Sequence, residues 1–174
     1  GGFAALYLLF HSIPNWKKDY DNKLFREKLY KALANIDALE KLVKKQVEAR
    51  RSYAASNINY DEKNSDAYKY RDLKVMYREE ISYLFNQTQE RILVLGELGY
   101  YLEYLIDDKG KKDIKSKLDS LKDAISKIHN MGCDLDNNHT VNEAYVDQKN
   151  KKHILDTEIF KETKGCLKKQ LENS

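Results

Sequence analysis

The stretch "LKVMYREEISYLFNQTQERILVLGELGYYLEYLI" (Leu73–Ile106) decides the fold class, because one apolar stripe runs through its whole length. The residues of this stripe are spaced three or four apart, as on one face of an α-helix: Leu73, Tyr77, Ile81, Leu84, Thr88, Ile92, Leu95, Gly99, Leu102 and Ile106. The spacing predicts a long central helix with one buried face. Because glycine weakens a helix interior, a bend is expected near Gly96 and Gly99.

A second stripe precedes the central helix and predicts a long first helix that runs from Phe25 to about Tyr53. The segment Ala55–Tyr68 then gathers Asn, Asp and Ser, whose side chains compete for backbone hydrogen bonds and favour turns. A loop is therefore predicted there. The apolar residues of the first helix repeat every three or four positions: Phe25, Leu29, Ala32, Ile36, Leu39, Val43 and Val47.

Two further helices are predicted after the central one. A turn at Asp107–Lys112 leads into a third stripe that should end at Gly132: Ile114, Leu118, Leu121, Ile125, Ile128 and Met131. Thr140–Glu143 has the form of a capping box, so a last helix is expected to begin there and to fray after Leu171. Its apolar positions are sparser: Ala144, Ile154, Leu155, Ile159, Cys166 and Leu167.

These elements predict an all-α protein, an antiparallel bundle of four or five helices that forms a single domain over residues 1–174. The composition agrees, because charged residues make up 34% of the chain and proline occurs once. Lysine and arginine exceed aspartate and glutamate only by 31 to 28, and the two signs are interleaved. Without a large field of one sign, binding to a nucleic-acid backbone is disfavoured.

The chain opens with eight apolar or aromatic residues, Phe3–Phe10. A membrane-spanning helix needs about 20 predominantly apolar residues, so this run is too short to span. Neither a basic region before it nor a small-residue cleavage site after it is recognised, so it does not have the form of a secretory signal. We expect a short helix packed on the domain and closed by Pro14, because the residue before proline resists the helical conformation.

The segment "DLDNNHTVNEAY" (Asp134–Tyr145) resembles a calcium-binding loop at its first, third and fifth places. The pattern then fails, because His139 replaces the required glycine and Tyr145 replaces the required bidentate glutamate. The favoured interpretation is a capped loop between helices. No metal site is predicted.

The two cysteines, Cys133 and Cys166, have three candidate roles. A zinc site with His129 and His139 is disfavoured because the spacing matches no familiar zinc pattern. The favoured interpretation is a disulfide, which requires an exported protein, and the alternative is two buried thiols that act as small hydrophobic groups. No catalytic constellation or phosphate loop is recognised, so we expect neither enzymatic activity nor a cofactor.

Tyrosine is unusually frequent, with thirteen among 174 residues, and many lie off the apolar stripes. Tyrosine is enriched where proteins bind proteins, because it is amphipathic and loses little rotamer entropy on contact. The alternatives are an A/T-rich genome or tyrosines that border the core. The candidate binding residues are Tyr60, Tyr68, Tyr70 and Arg71, with Tyr100–Asp108 as the second candidate region.

The whole pattern resembles the helical outer-surface lipoproteins of Borrelia spirochaetes, and the length is similar to that of the factor-H-binding lipoproteins of the relapsing-fever group. The likeness rests on Lys/Asn/Asp/Ile/Leu/Tyr-rich usage, a single proline, long helices joined by Asn/Asp loops, and phrases such as "LFNQTQERILVLGELGYYLEYLIDDKGKKDIKSKLDSLKDAISKIHN".

The resemblance implies a lipid-anchored protein of the bacterial outer membrane that recruits the host complement regulator factor H, and plasminogen as a further ligand. No lipidated N-terminal cysteine is present, so the anchor would have to precede Gly1. The alternative function is an intracellular helical protein that assembles with itself or binds a partner helix. The sequence does not specify the oligomeric state.

Overall fold

The computed structural model describes the backbone of residues 2–58, 67–130 and 154–173, and the side chains of residues 15–53, 71–127 and 158–173. Within these ranges the protein is helical apart from a short link at residues 106–107 and a turn at Asn173, and no strand occurs. The predicted all-α class is therefore confirmed. The four helices are α1 (Gly2–Ile58), α2 (Ala67–Leu105), α3 (Asp108–Asn130) and α4 (Ile154–Glu172).

Helix α1 is continuous from Gly2 to Ile58, so the predicted break at Pro14 is wrong. Proline has a φ close to the helical value. It removes one backbone hydrogen bond and crowds the carbonyl of Phe10, four residues earlier, but it does not force the chain out of the helix. The opening run Phe3–Phe10 thus belongs to the same helix as the core residues after it. The predicted packing of its side chains lies outside the described residues.

The apolar stripes of the first three helices form the core, as predicted. Most buried members of these stripes belong to one hydrophobic cluster that also includes residues of α4. Burial of large aliphatic side chains is the main favourable term in folding, at about 25 cal/mol per Å² of apolar surface. The fully or almost fully buried stripe residues include Leu29, Ile36, Leu39, Val43, Leu95, Leu102, Ile114, Leu121 and Ile125.

The core face of α4 differs from the predicted one. Phe160, Thr163 and Leu167 are buried, whereas Ile159 and Cys166 are only partly buried at the edges of the cluster. The Thr163 hydroxyl is satisfied locally, because it donates a hydrogen bond of 2.7 Å to the Ile159 carbonyl. A polar residue can therefore stand at the centre of a buried helix face.

The helices pack in pairs around the core: α1 contacts α2 and α4, and α3 contacts the same two helices. A buried asparagine fixes α1 against α2. Asn35 is 4% exposed, and its Nδ2 donates to the Arg91 carbonyl at 2.8 Å while its Oδ1 accepts a longer bond, 3.5 Å, from Arg91 Nη1. A buried amide needs such partners, so this pair helps to define the register of the two helices.

Helices α2 and α3 are joined by a link of two residues, Ile106 and Asp107, rather than the predicted six-residue turn. The Asp107 carboxylate accepts a hydrogen bond of 2.8 Å from the Gly110 backbone N–H, which makes Asp107 the N-cap of α3. Before this link, α2 is continuous through Gly99, where an added Cβ would lie 2.9 Å from Leu118 Cδ1. Gly99 therefore permits a close approach of α2 and α3.

The predicted loop at Ala55–Tyr68 is too long at both ends. Residues 55–58 continue α1 and residues 67–68 begin α2, because Ala54, Ala55 and Ala67 favour a helix more strongly than the neighbouring polar residues oppose it. The remainder of that loop, residues 59–66, lies outside the described residues. The predicted capping box at Thr140 and the calcium-like segment lie outside them as well.

Candidate functional site

The candidate site is the outward face of α2, which carries a row of exposed apolar side chains. Leu93 is 70% exposed, whereas Leu95, two residues further along, is 1% exposed, so α2 is apolar on two opposite faces. Single exposed apolar residues are normal, but an extended apolar surface marks an interaction site. We call the exposed set the outer stripe: Val75, Met76, Tyr83, Leu93, Val94, Tyr100, Tyr101 and Tyr104.

Three tyrosines form a cluster at the C-terminal end of the outer stripe. The rings of Tyr100 and Tyr101 meet edge to face, with centroids 6.1 Å apart and planes at 74°. Lys28 Nζ of α1 lies 4.2 Å from the centroid of the Tyr101 ring, a cation–π contact that ties this tyrosine to the neighbouring helix. Tyr100 and Tyr104, one turn apart, are 73% and 79% exposed and present their rings to solvent.

Helix α1 has a separate set of exposed aromatic residues. The rings of Trp16 and Tyr20 stack with centroids 5.8 Å apart and planes at 21°. Tyr30 is 61% exposed, ten residues beyond Tyr20 along the helix. It provides a natural reference for substitutions within the tyrosine cluster.

The predicted binding residues are only partly covered by the described side chains. Tyr60 lies outside the described residues. The backbone of Tyr68 and Tyr70 belongs to α2, but the side chains of these two residues are outside the described set. Arg71 is exposed and precedes Val75 by four residues, which places both on the same side of α2. The structure therefore aligns Arg71 with the outer stripe, on the helix that also carries residues 100–105 of the second predicted region, Tyr100–Asp108.

The aliphatic members of the outer stripe were not identified from the sequence. The spacing in α2 predicts a single buried stripe and gives no position to the apolar residues adjacent to its members, such as Leu93 next to Ile92. Helix α2 contains more apolar residues than one buried face requires, and this excess is a signal present in the sequence. It could have identified Val75, Met76, Leu93 and Val94 as solvent-facing residues.

Charged contacts join α4 to α1 on another side of the molecule. Lys164 Nζ lies 2.9 Å from Asp37 Oδ1 and 2.7 Å from Glu40 Oε2. Burial acts to raise the pKa of Glu40, but hydrogen bonds from Lys164 and Lys44 outweigh it and lower this pKa below its ordinary value. The hydrogen bonds that Lys164 donates to Glu40 and Asp37 raise the pKa of Lys164. These charges are mutually satisfied, which indicates a structural role.

An open groove of about 440 Å³ lies between α3 and α4. The Lys117–Glu162 ion pair, at 2.6 Å, is among its lining residues, and the hydrogen bond that Lys117 donates to Glu162 raises the pKa of Lys117. Burial, with Asp113 nearby, raises the pKa of the Cys166 thiol in the same groove. Because the thiolate is the nucleophile, a raised pKa makes this cysteine less reactive.

Cys166 forms no disulfide with a described residue. Cys133 lies outside the described part of the chain, so the predicted pairing stays a prediction. Within the described residues, no three His, Cys, Asp or Glu side chains are arranged to hold a metal ion. Searching the described helices also finds none with the length and apolarity needed to cross a membrane.

No family model, curated protein or solved structure matches this chain.

Proposed function

We propose that this protein is a non-catalytic helical bundle that binds another protein through the outer stripe of α2. The observation that carries the proposal is the second apolar face of α2, whose side chains are exposed and which is richest in aromatic residues at Tyr100–Tyr104. Apolar and aromatic anchors held on a rigid helix lose little entropy on binding and commonly dominate protein interfaces.

The partner we propose is the complement regulator factor H, with plasminogen as a further host ligand. This choice rests on the resemblance to the Borrelia surface lipoproteins. It implies that the protein is exported and held at the bacterial outer membrane by a lipid anchor upstream of Gly1. Capture of factor H at that surface would protect the bacterium from complement.

We also propose that the helices are arranged antiparallel, as expected for a bundle that presents one helix face to a partner. Contacts between α1 and α2 support this order: Lys28 meets Tyr101, while Lys74 Nζ lies 5.6 Å from the ring centroid of Tyr53. The residue number therefore rises along α1 as it falls along α2. The Lys117–Glu162 pair and the proximity of Gly110 to Gln170 give the same order for α3 and α4.

The test is surface plasmon resonance on immobilised factor H. The double variant Tyr100→Ala/Tyr104→Ala should weaken binding by about 30-fold or more, the loss expected for interface hot spots. Arg71→Ala should weaken binding less, because it lies at the opposite end of the stripe. Tyr30→Ala, an equally exposed tyrosine on α1, is the matched control and should bind like the wild type.

Circular dichroism confirms that each variant is folded before binding is compared. If the wild type does not bind factor H, the complement proposal fails. If the wild type binds and the α2 variants bind equally well, the outer stripe is not the site. The aromatic residues at Tyr60, Tyr68 and Tyr70 would then be tested next.

The second candidate function is assembly with a partner helix or with another copy of this chain. The length of the outer stripe, from Val75 to Tyr104 on one helix, favours this candidate, since a helix partner would cover such a row. Sedimentation equilibrium distinguishes it from host-protein capture. Self-association that is abolished by Leu93→Glu, in a protein that does not bind factor H, would establish it.

A further inference from the structure

Helix α2 carries a row of residues that runs from Asp72 to Tyr104 in alternating steps of four and three residues, and every residue of this row is exposed. Such a repeat, about 3.5 residues on average, is the one by which one helix lies along another in a coiled coil. We call this row the outer seam. Its apolar members belong to the outer stripe: Met76, Tyr83, Leu93, Tyr100 and Tyr104.

The remaining positions of the outer seam are acidic, apart from Asn86. Neither the seam nor the heptad positions e and g beside it contain a lysine or an arginine. Two basic residues on other sides of this helix, Lys74 and Arg91, contact α1 instead. The charges of α2 are therefore segregated, with carboxylates on the exposed face. The seam carboxylates are Asp72, Glu79, Glu90 and Glu97.

These carboxylates have no cationic partner among the described residues. Their only polar contact there is a long hydrogen bond, 3.5 Å, that Glu90 accepts from Gln87 Nε2. Carboxylates on other sides of the bundle are paired, as Glu162 is with Lys117 at 2.6 Å. The negative charge of the outer seam is thus available to a partner.

The tyrosine cluster makes one end of the seam especially suited to a cationic side chain. Glu97 precedes Tyr100 and Tyr101 by one helical turn and Tyr104 by two. A cation that pairs with Glu97 can therefore also lie against a tyrosine ring. Lys28 already makes this kind of contact on the Tyr101 ring, at 4.2 Å from its centroid. Arginine fits such a site well, because its planar group both pairs with carboxylates and stacks on aromatic rings.

We propose that the outer seam binds a basic amphipathic helix of another protein, whose arginine or lysine residues pair with the seam carboxylates. This inference rests on the outer stripe being the binding face, and it deepens the second candidate function by naming the chemistry of the partner helix. At about 1.5 Å per residue the seam is about 48 Å long, so a partner helix of about 30 residues would cover it.

A second copy of the chain is the competing occupant, and the charges of the seam oppose it. In a parallel pair each glutamate would face the same glutamate of the other copy. In an antiparallel pair with the two seams fully overlapped, Glu79 would face Glu97. Like charges brought together at an interface are destabilising, whereas a basic helix neutralises them in either orientation.

Two synthetic helical peptides of about four heptads test the inference. Both alternate leucine with a charged residue at their seam positions, and this residue is arginine in one peptide and glutamate in the other. Fluorescence anisotropy of the labelled peptides measures their affinity for the full chain at low ionic strength. The arginine peptide should bind at least about tenfold more tightly, because it forms several ion pairs that each contribute a factor of about three, and added salt should reduce the difference.

The decisive variant is Glu90→Gln/Glu97→Gln, which removes two charges but keeps the size and helix propensity of both side chains. It should weaken binding of the arginine peptide by about tenfold. Glu48→Gln/Glu158→Gln, on α1 and α4, is the matched control, because both residues are exposed and the net charge changes equally. The control should bind like the wild type, and neither variant should change the thermal midpoint.

Reversal of the charge sharpens the test. Glu90→Lys/Glu97→Lys should bind the glutamate peptide better than the arginine peptide, because attraction and repulsion are exchanged. The inference would be overturned by equal affinity of the wild type for the two peptides, by no measurable binding of either, or by equal losses in Glu90→Gln/Glu97→Gln and its control.

The tyrosine variant separates this inference from the proposed function. If Tyr100→Ala/Tyr104→Ala weakens peptide binding and Glu90→Gln/Glu97→Gln does not, the outer stripe is a binding face whose partner is not selected by charge, and only the inference fails. If neither variant weakens binding, the stripe is not the site and both fail. Dimers in sedimentation that Leu93→Glu abolishes would show that a second copy occupies the seam, which also overturns the inference. Factor H is measured separately, so its failure to bind removes the complement proposal and leaves the peptide result to decide the inference.

Discussion

Helices α2 and α3 are adjacent, share the same core, and differ in how their apolar residues are distributed. In α3 the large apolar residues with described side chains all face the core: Ile114, Leu118, Leu121 and Ile125. In α2 a comparable set is buried, and a second set, the outer stripe, is exposed on the opposite side. Packing therefore accounts for the apolar pattern of α3 but for only half of that of α2.

The difference teaches where to look for function in a bundle without a recognisable motif. An exposed apolar side chain contributes nothing to the core and raises the risk of non-specific association. An ordinary surface helix has charged and polar residues at such positions, as α3 does. The outer stripe of α2 is thus the part of the sequence that the fold itself does not require.

The largest effect expected from this comparison separates the two faces of α2. Leu95→Ala should lower the free energy of unfolding by about 2 to 5 kcal/mol, because the side chain is almost fully buried in the core. Leu93→Ala, two residues away, should change it by no more than about 0.5 kcal/mol. Urea denaturation measures both variants. Equal losses would show that the outer face of α2 is also packed.

Replacement of a glycine by alanine should lower the stability of the protein in α3 and raise it in α2. At Gly110 of α3 an added Cβ would overlap the Ile106 side chain, so Gly110→Ala should lower stability by about 1 to 3 kcal/mol. At Gly96 of α2 no atom lies within 4 Å of an added Cβ. Gly96→Ala should therefore raise stability by about 0.5 to 1 kcal/mol, since alanine favours a helix. Thermal unfolding would show whether the two variants change stability in opposite directions. A stabilising Gly110→Ala would contradict the tight packing at the start of α3.

A smaller effect is expected at the N-cap of α3. Asp107→Ala removes the carboxylate that accepts the Gly110 N–H and should lower stability by about 1 kcal/mol. Asp108, the first residue of α3, is the control, because its side chain is almost fully exposed and pairs only loosely with Lys111 at 3.6 Å. If Asp107→Ala and Asp108→Ala have the same unfolding midpoint, the cap is not a significant part of the α2–α3 connection.

The smallest effect is expected from the ion pairs between α1 and α4, on a side of the bundle that does not involve α2. The pKa of Glu40 is lower in the folded protein than its ordinary value of 4.5. Its stabilising contribution is therefore complete above pH 4.5 and disappears as the pH falls through the lower, folded pKa. After allowance for solvent screening, this contribution is at most about 1 kcal/mol.

Urea midpoints of the wild type and Lys164→Met, measured between pH 7 and pH 3, check this prediction. The wild type should be the more stable at pH 7, and the gap should close at acid pH as Glu40 is protonated. Lys31→Met, which breaks an exposed pair with Glu27 within α1, is the control and should show a smaller gap. A difference in stability that does not change with pH would show that Lys164 acts through packing rather than through its charge.

The core of α1, α2 and α3 could be predicted from the sequence because periodic spacing directly determines which residues share a helix face. The ends of the helices could not be predicted in this way, because helix boundaries depend on small local conformational preferences. Ala54 and Ala55 prolong α1, and Pro14 is tolerated inside it. Spacing also could not show which apolar residues remain exposed, since that depends on where the neighbouring helices lie. The exposed half of α2 therefore required the structure.

The two buried polar residues differ in how far the sequence predicts them. Thr88 lies on the predicted stripe of α2, and its hydroxyl donates a hydrogen bond of 2.8 Å to the Leu84 carbonyl. Asn35 could not be predicted, because it is buried where Arg91 of α2 offers it a backbone carbonyl, and a hydropathy pattern does not contain such tertiary placement. The tyrosine frequency was the signal that led to Tyr100–Tyr104 as a candidate region, and its role in binding stays a prediction.

The two-residue link between α2 and α3 has a consequence for the order in which the bundle folds. A short connection costs little chain entropy to close, whereas Lys164 and Glu40 are 124 residues apart in the chain. We expect the contacts between α2 and α3 to form in the folding transition state and the α1–α4 contact to form afterwards. Leu118→Ala should then slow refolding, while Lys164→Met should mainly speed unfolding, and stopped-flow kinetics would expose the reverse order if it holds.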